Sequence, residues 1–266
     1  MSLDIWTQCA PKFKFTAYLG KPWRVVEAQH IVATRKLVDS DEEQAILEEL
    51  IDKAKPPLPY PRPHDEECKR YHYLLWTPFR YPPLKHGSRL GSSDRRGLWY
   101  GSEKIETAFA EKAYYAFLFR SGSHADFGVF ETSITVFAAQ VKTKSCADLT
   151  RAPFNKFEKD LVTPNSYTAS QRIGSELRDR GAEVIRFKSA RCAEHGFNIA
   201  VTKISAFQAR KPVEDGSWFC ISSADTVEFK PFGLQAIQVP TERTVFRCTD
   251  FELGGKIDFP RLARPL

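Results

Sequence analysis

Residues 88–115, SRLGSSDRRGLWYGSEKIETAFAEKAYY, bring together side chains with distinct chemical uses. They include several arginines, the pair Trp99–Tyr100 and the glutamate Glu111. Arginine grips a phosphate through forked, charge-assisted hydrogen bonds. An aromatic at a strand end can stack on a flat cationic ring. Glu111 is the least expected of the set. On a helical wheel it faces with Thr107, Ala108, Tyr114 and Tyr115, and only Lys112 beside it is charged. A carboxylate in an apolar setting needs a partner or a purpose. A structural ion pair with an arginine and a functional role are equal alternatives for it.

The other candidates each have a plain structural reading too. Arg89 lies in KHGSRLGSSDRRG, a loop rich in glycine, serine and basic residues. Such a loop can wrap a phosphate or form a solvated turn, and it matches neither a Walker A loop nor the dinucleotide-binding glycine pattern. Arg80, in TPFRYPP, is a second candidate for the same task. Trp99 and Tyr100 alternate on a strand, so one enters a core and the other points away. Ser189 follows an apolar strand in IRFKSARCAEHGFN, with Arg191, His195 and Asn198 nearby. No G-x-S-x-G elbow surrounds it, so a hydrolase nucleophile is unsupported and a turn serine is the alternative.

These residues need a scaffold. GLWYGS (97–102) reads as a strand, after which Ser102 caps a helix running to about Phe119, with Glu103 and Glu106 in its first turn. TASQRIGSELRDRG reads as an amphipathic helix with Ile173 and Leu177 inward and Gly181 as its stop. It leads into a strand at 182–187. Further strands are expected at 70–76, around 128–142, and at 198–204, 216–221, 225–229 and 243–248. The mixed order favours an α+β fold over a regular βαβ array. Upstream, DSDEEQAILEELIDKAK reads as a packing helix, and PPLPYPRPHDEE as an extended connector because proline fixes the backbone and removes donors. The expected organisation is an N-terminal extension over 1–55, a connector over 56–67 and a main domain over 68–266.

The chain has 266 residues, 42% hydrophobic, enough for one sizeable core. The 39 Lys and Arg against 33 Asp and Glu leave a net charge of +6, with no dense basic run. That suits an anionic small ligand or an acidic partner rather than direct nucleic-acid binding. No apolar run approaches a membrane span, and the N-terminus lacks a signal-type apolar segment, so a soluble, cytoplasmic protein is expected. The six scattered cysteines read as reduced thiols, and CAEH at 192–195 has no second pair to complete a zinc site, so no metal is expected.

Order and spacing say more than the residues singly. RYPPLKHGSRLGSSDRRGLWYGSEKIETAFAEKAYY followed by GAEVIRFKSARCAEHGFNIAV resembles the RES domain family over roughly residues 68–230. Arg89 matches the family's arginine, Tyr100 its strand tyrosine, Glu111 its helix glutamate and Ser189 its serine. The resemblance implies a fold like the ADP-ribosyltransferase toxins, a mixed sheet with flanking helices, and an enzyme that breaks down NAD+. NAD+ is then the substrate and no cofactor is needed. The acceptor is phosphate or water, making the enzyme a phosphorylase or a glycohydrolase. Protein ADP-ribosylation from the same site is the alternative, and a non-catalytic binding module a further one. On this reading Glu111 stabilises the charge that develops on the ribose. Arg89, with Arg80, clamps the pyrophosphate. Tyr100 packs on the nicotinamide or its ribose, and Ser189 and Asn198 meet the ligand or orient Glu111. The resemblance also implies a toxin–antitoxin pair, with an Xre-like helix-turn-helix antitoxin covering the active site, and sets the N-terminal extension outside the catalytic core.

Overall fold

The computed structural model describes residues 4–28, 43, 70–80, 86–122, 128–192, 196–232, 243–257 and 260. Most of the helix expected over 39–55, the connector 56–67, His195 and the side chain of Arg80 lie outside the described residues.

The expected α+β architecture is present as one ten-stranded mixed sheet with helices on both faces. Its strands are β1 (Thr16–Gly20), β2 (Trp23–Glu27), β3 (Trp99–Ser102), β4 (Phe130–Ala138), β5 (Val141–Asp148), β6 (Val184–Lys188), β7 (Phe197–Val201), β8 (Glu214–Ser222), β9 (Thr226–Pro231) and β10 (Val245–Arg247). The spatial order is β1-β5-β6-β7-β3-β2-β4-β8-β9-β10. Among the described strands only the β5–β6 pairing is parallel.

Alternation along the strands feeds two sides of the sheet. On one side Trp99, Phe137, Val184, Ile199 and Val201 join Leu74, Leu75 and Phe79 of helix α2 (Tyr73–Arg80). On the other, β5, β6 and β7 send Ala147, Ile185, Phe187 and Ala200 to α1 (Ile5–Cys9) and α5 (Thr168–Asp179). On that side too, Ile134, Val136, Trp218 and Phe229 meet α3 (Ile105–Ser121). A short α4 (Glu158–Leu161) precedes α5. Ile173 and Leu177 of α5 are buried as expected, and Gly181 ends that segment with φ of 86°.

Three expectations are corrected. Residues 73–80 are a helix and not part of a strand at 70–76, because Leu74, Leu75 and Phe79 form one buried face. Pro78 lies within it and cannot donate to the Leu74 carbonyl one turn back. The Trp99 indole N–H donates to that carbonyl instead, at 3.3 Å. Second, Ser102 stays in β3 and does not cap α3, whose N-cap is Lys104. Glu103 likewise sits before the helix. Third, the part of the N-terminal extension spanning residues 16–27 is not outside the sheet. β2 lies between β3 and β4, and β1 closes the β5 edge. The hydrophobic patterns of TAYLG and WRVVE are too short to show which strands they join.

Among the described residues, no helix is long and apolar enough to cross a membrane.

Candidate active site

β2 and β3 share a single residue pair, Trp23 with Ser102. The sheet therefore parts between them, and a cavity of ≈ 230 Å³ lies there. Arg24, Arg89, Tyr100, Glu111, Tyr115 and Asn198 are among its lining residues.

Glu111 is carried by α3, and Gly196 lets the approach to β7 pack against this helix, since a Cβ at 196 would collide with the Thr107 hydroxyl. The carboxylate is only half-buried. Its Oε1 accepts from the Ser189 hydroxyl at 2.7 Å and the Asn198 amide at 2.6 Å. Both donors are themselves oriented. The Ser189 oxygen, just past β6, accepts the backbone N–H groups of Arg191 and Cys192, each at 3.1 Å. With its lone pairs engaged, its proton points to Glu111. The Asn198 carbonyl oxygen accepts from the Ser102 hydroxyl at 2.6 Å, which turns the NH₂ group to the carboxylate. Among the described residues Glu111 has no salt bridge, so the ion-pair alternative is not what holds it. Two neutral side chains do, and Ser102 orients one of them.

Arg89 sits at the first central position of a tight turn closed by the Ser88 N–H on the Gly91 carbonyl at 2.7 Å. Helix α5 fixes the turn. Gln171 Nε2 donates to the carbonyls of His86 at 3.1 Å and Ser88 at 3.0 Å. Gly174 admits the Leu90 backbone, which any Cβ there would strike. The Tyr100 hydroxyl completes the support, meeting Ser88 Oγ at 2.8 Å and accepting the Leu90 N–H at 3.1 Å. Burial pushes this phenol up to about 12. So Tyr100 lines the cavity with its ring while its hydroxyl is committed to the turn. The Arg89 guanidinium is partly committed as well. Its Nη1 donates to the carbonyls of Leu161 at 3.3 Å and Thr163 at 3.1 Å, and its centre lies 4.7 Å from the Tyr167 ring.

Sequence reasoning missed Arg24. It projects from β2, and its Nη1 donates to the Tyr100 carbonyl at 2.9 Å, an acceptor left over where the sheet parts. Its Nε is buried and has no hydrogen-bond partner among the described residues. Among the described residues no carboxylate pairs with it. Desolvation pulls the group down to about 10, which leaves it charged at neutral pH. The guanidinium also stands 5.5 Å from the Trp99 ring centroid, and its Nε still has a proton to donate to an anion. The available signal was an arginine inside the apolar run PWRVV. Lys112 also lines the cavity, paired with Glu27 at 2.9 Å. Arg191 takes a structural place, its guanidinium 3.4 Å from the Tyr114 ring centroid and donating to the Pro164 carbonyl at 2.7 Å.

The structure thus defines an α+β protein in which a hydrogen-bonded carboxylate and two arginines line one cavity where a sheet parts. The chain belongs to the RES domain family, whose description matches residues 64–220, more than half of its length. That match begins after β2 and so leaves out Arg24. No curated protein matches the sequence. Among solved structures, the crystal structure of the M. tuberculosis MbcT-MbcA toxin-antitoxin complex is similar over 80% of this chain and 88% of that one, with 10% identity and a TM-score of 0.44.

Proposed function

We propose that the protein cleaves the bond between nicotinamide and ribose in NAD+. The observation that carries the reading is Glu111, a carboxylate held by neutral donors and without a cationic partner among the described residues, in a cavity that Arg24 and Arg89 also line. Nicotinamide leaves as a neutral molecule from a cationic precursor, so no strong general acid is needed. The barrier is the positive charge that builds on the ribose carbon. Glu111 meets that charge as it develops, the kind of contact that lowers the barrier rather than only binding the substrate. The hydroxyl of Ser189 and the amide of Asn198 keep its Oε1 in place, leaving the other oxygen for a ribose hydroxyl or the ring carbon. Arg24 and Arg89 hold the pyrophosphate, with Arg80 as a further candidate. Tyr100 positions the Arg89 turn and lends its ring to the ribose side.

Sites that enclose a whole small ligand run to about 300–1,000 Å³. At ≈ 230 Å³ the cavity is smaller than the whole dinucleotide, so the adenosine end lies outside it. Water or phosphate then attacks the ribose carbon. The carbon–nitrogen bond breaks, its electron pair stays on nicotinamide, and the acceptor loses a proton. The likeness of the fold to ADP-ribosyltransferases belongs to this proposal. So does the role of toxin restrained by an Xre-like antitoxin, which would bring a carboxylate to the arginines in place of the pyrophosphate.

The test is incubation with NAD+, with and without phosphate. Free nicotinamide is expected. ADP-ribose 1-phosphate identifies a phosphorylase, ADP-ribose a glycohydrolase and labelled protein a transferase. No release of nicotinamide under any condition overturns the proposal.

A further inference from the structure

Tyr115 is a large aromatic residue left 47% exposed on α3, one turn beyond Glu111. Residues four apart on a helix stand side by side on one face, so the ring neighbours the carboxylate, and both line the cavity. The ring is held at two points. Its hydroxyl lies 3.3 Å from that of Tyr167, a residue only 5% exposed, and the Tyr114 ring meets it edge-on with centroids 5.2 Å apart. Burial of the hydroxyl end pushes the phenol well above its ordinary value, so the ring is neutral at physiological pH. Four other aromatics line the cavity, and the Tyr167 ring already carries the Arg89 guanidinium at 4.7 Å. Tyr100 stands edge-on to Phe187 at 6.2 Å and is pinned through its hydroxyl, and Trp23 packs against the core beneath α3.

We infer that Tyr115 is the seat of the leaving base, binding the cationic pyridinium ring of NAD+ and discriminating against the neutral ring of the reduced dinucleotide. The inference rests on the reading above and deepens it. With Glu111 at the ribose carbon, the base bonded to that carbon lies within one ring width of the carboxylate, where Tyr115 stands. An aromatic face attracts a flat cation through its quadrupole, and more strongly when the pair is shielded from water. The grip fades as the reaction proceeds, because the positive charge leaves the base for the ribose. Tyr115 therefore favours binding more than the chemical step, and its loss is read in KM before kcat.

The experiment is a calorimetric titration of the Glu111→Gln protein with NAD+ and with NADH. Without the Glu111 charge, which would itself prefer the cationic form, any remaining preference reports the aromatic seat. Roughly 3- to 30-fold tighter binding of NAD+ is expected. It is retained in Glu111→Gln/Tyr115→Phe, which keeps the ring, and lost in Glu111→Gln/Tyr115→Ala. Equal affinities for the two dinucleotides, or a preference that survives Tyr115→Ala, overturn the inference while leaving the NAD+ reading in place. Absence of binding by either dinucleotide overturns both.

Discussion

Glu103 and Glu111 lie eight residues apart, at the entry to and along the same helix, and their surroundings differ in kind. Glu103 meets Arg186 through two parallel bonds of 2.8 and 2.9 Å, and Arg186 is further tied to Thr150 at 2.8 Å and stacked 3.9 Å from the Phe197 ring centroid. This carboxylate is neutralised by a cation and joins β3 to β6. Glu111 is given a hydroxyl and an amide on one oxygen and no cation among the described residues. Full pairing spends a charge on structure. Neutral donors orient a charge without cancelling it, which keeps it available to a ligand that brings its own positive charge.

The widest difference between the two is expected in turnover. Glu111→Gln keeps the shape of the side chain and removes its charge. NAD+ cleavage should fall by about 10²–10³ in kcat, the usual cost of losing one preorganised electrostatic group. The melting temperature should hold, because no ion pair is broken. Initial rates of nicotinamide release, measured beside a thermal melt, check both halves. Full turnover, or a collapse of the melt, would put Glu111 in the same class as Glu103.

The arginines of the cavity repeat the contrast at a smaller scale. Arg24 spends one bond on the Tyr100 carbonyl, stands 5.5 Å from the Trp99 ring centroid and, among the described residues, leaves a buried Nε without a hydrogen-bond partner. Arg89 spends two bonds on the 161–163 backbone and packs on Tyr167. Arg24→Met should raise KM for NAD+ by roughly 10- to 100-fold, the size of a charge-assisted hydrogen bond of about 1.5–3 kcal/mol. It should disturb stability little, since it also removes an underpaired buried charge. Arg89→Met should raise KM and lower the melting temperature together. Steady-state kinetics and melts of both variants decide this, and equal melting losses would put the two arginines in one class.

The parts of this site legible in the sequence are those with local cause. Glu111 stood out because its helix neighbours are apolar, and α5 because its apolar period and Gly181 mark it. Ser189 matches the family's serine and Asn198 is a polar group near it in sequence, but their hydrogen bonds depend on β6 and β7 pairing from Val184 to Lys188, which no short window shows. Arg24 was hidden for a stronger reason. β2 is separated by 71 residues of sequence from its neighbour β3, and its insertion between β3 and β4 is set by the whole sheet. Helix α2 was misread because Tyr and Trp raise strand propensity, while the buried face of Leu74, Leu75 and Phe79 overrides it.

The smallest effect on activity is expected at Glu103, where the comparison is most exposed to refutation. Glu103→Gln removes one carboxylate from Arg186 and leaves that arginine with Thr150 and, at 3.5 Å, Asp148. The side chains of the pair are 29% and 18% exposed, so solvent screens part of the attraction. A loss near 1 kcal/mol follows, about 2–4 °C in melting temperature for a chain of this size. Cleavage of NAD+ should stay within about twofold of the parent protein, since a change that leaves the Ser189 and Asn198 bonds to Glu111 intact has no route to ΔG‡. Rates and melts taken on one preparation make the test direct. A tenfold fall in kcat at unchanged stability would mean that Glu103 holds the start of α3 in register for Glu111, and the two carboxylates would then have to be treated as one coupled device.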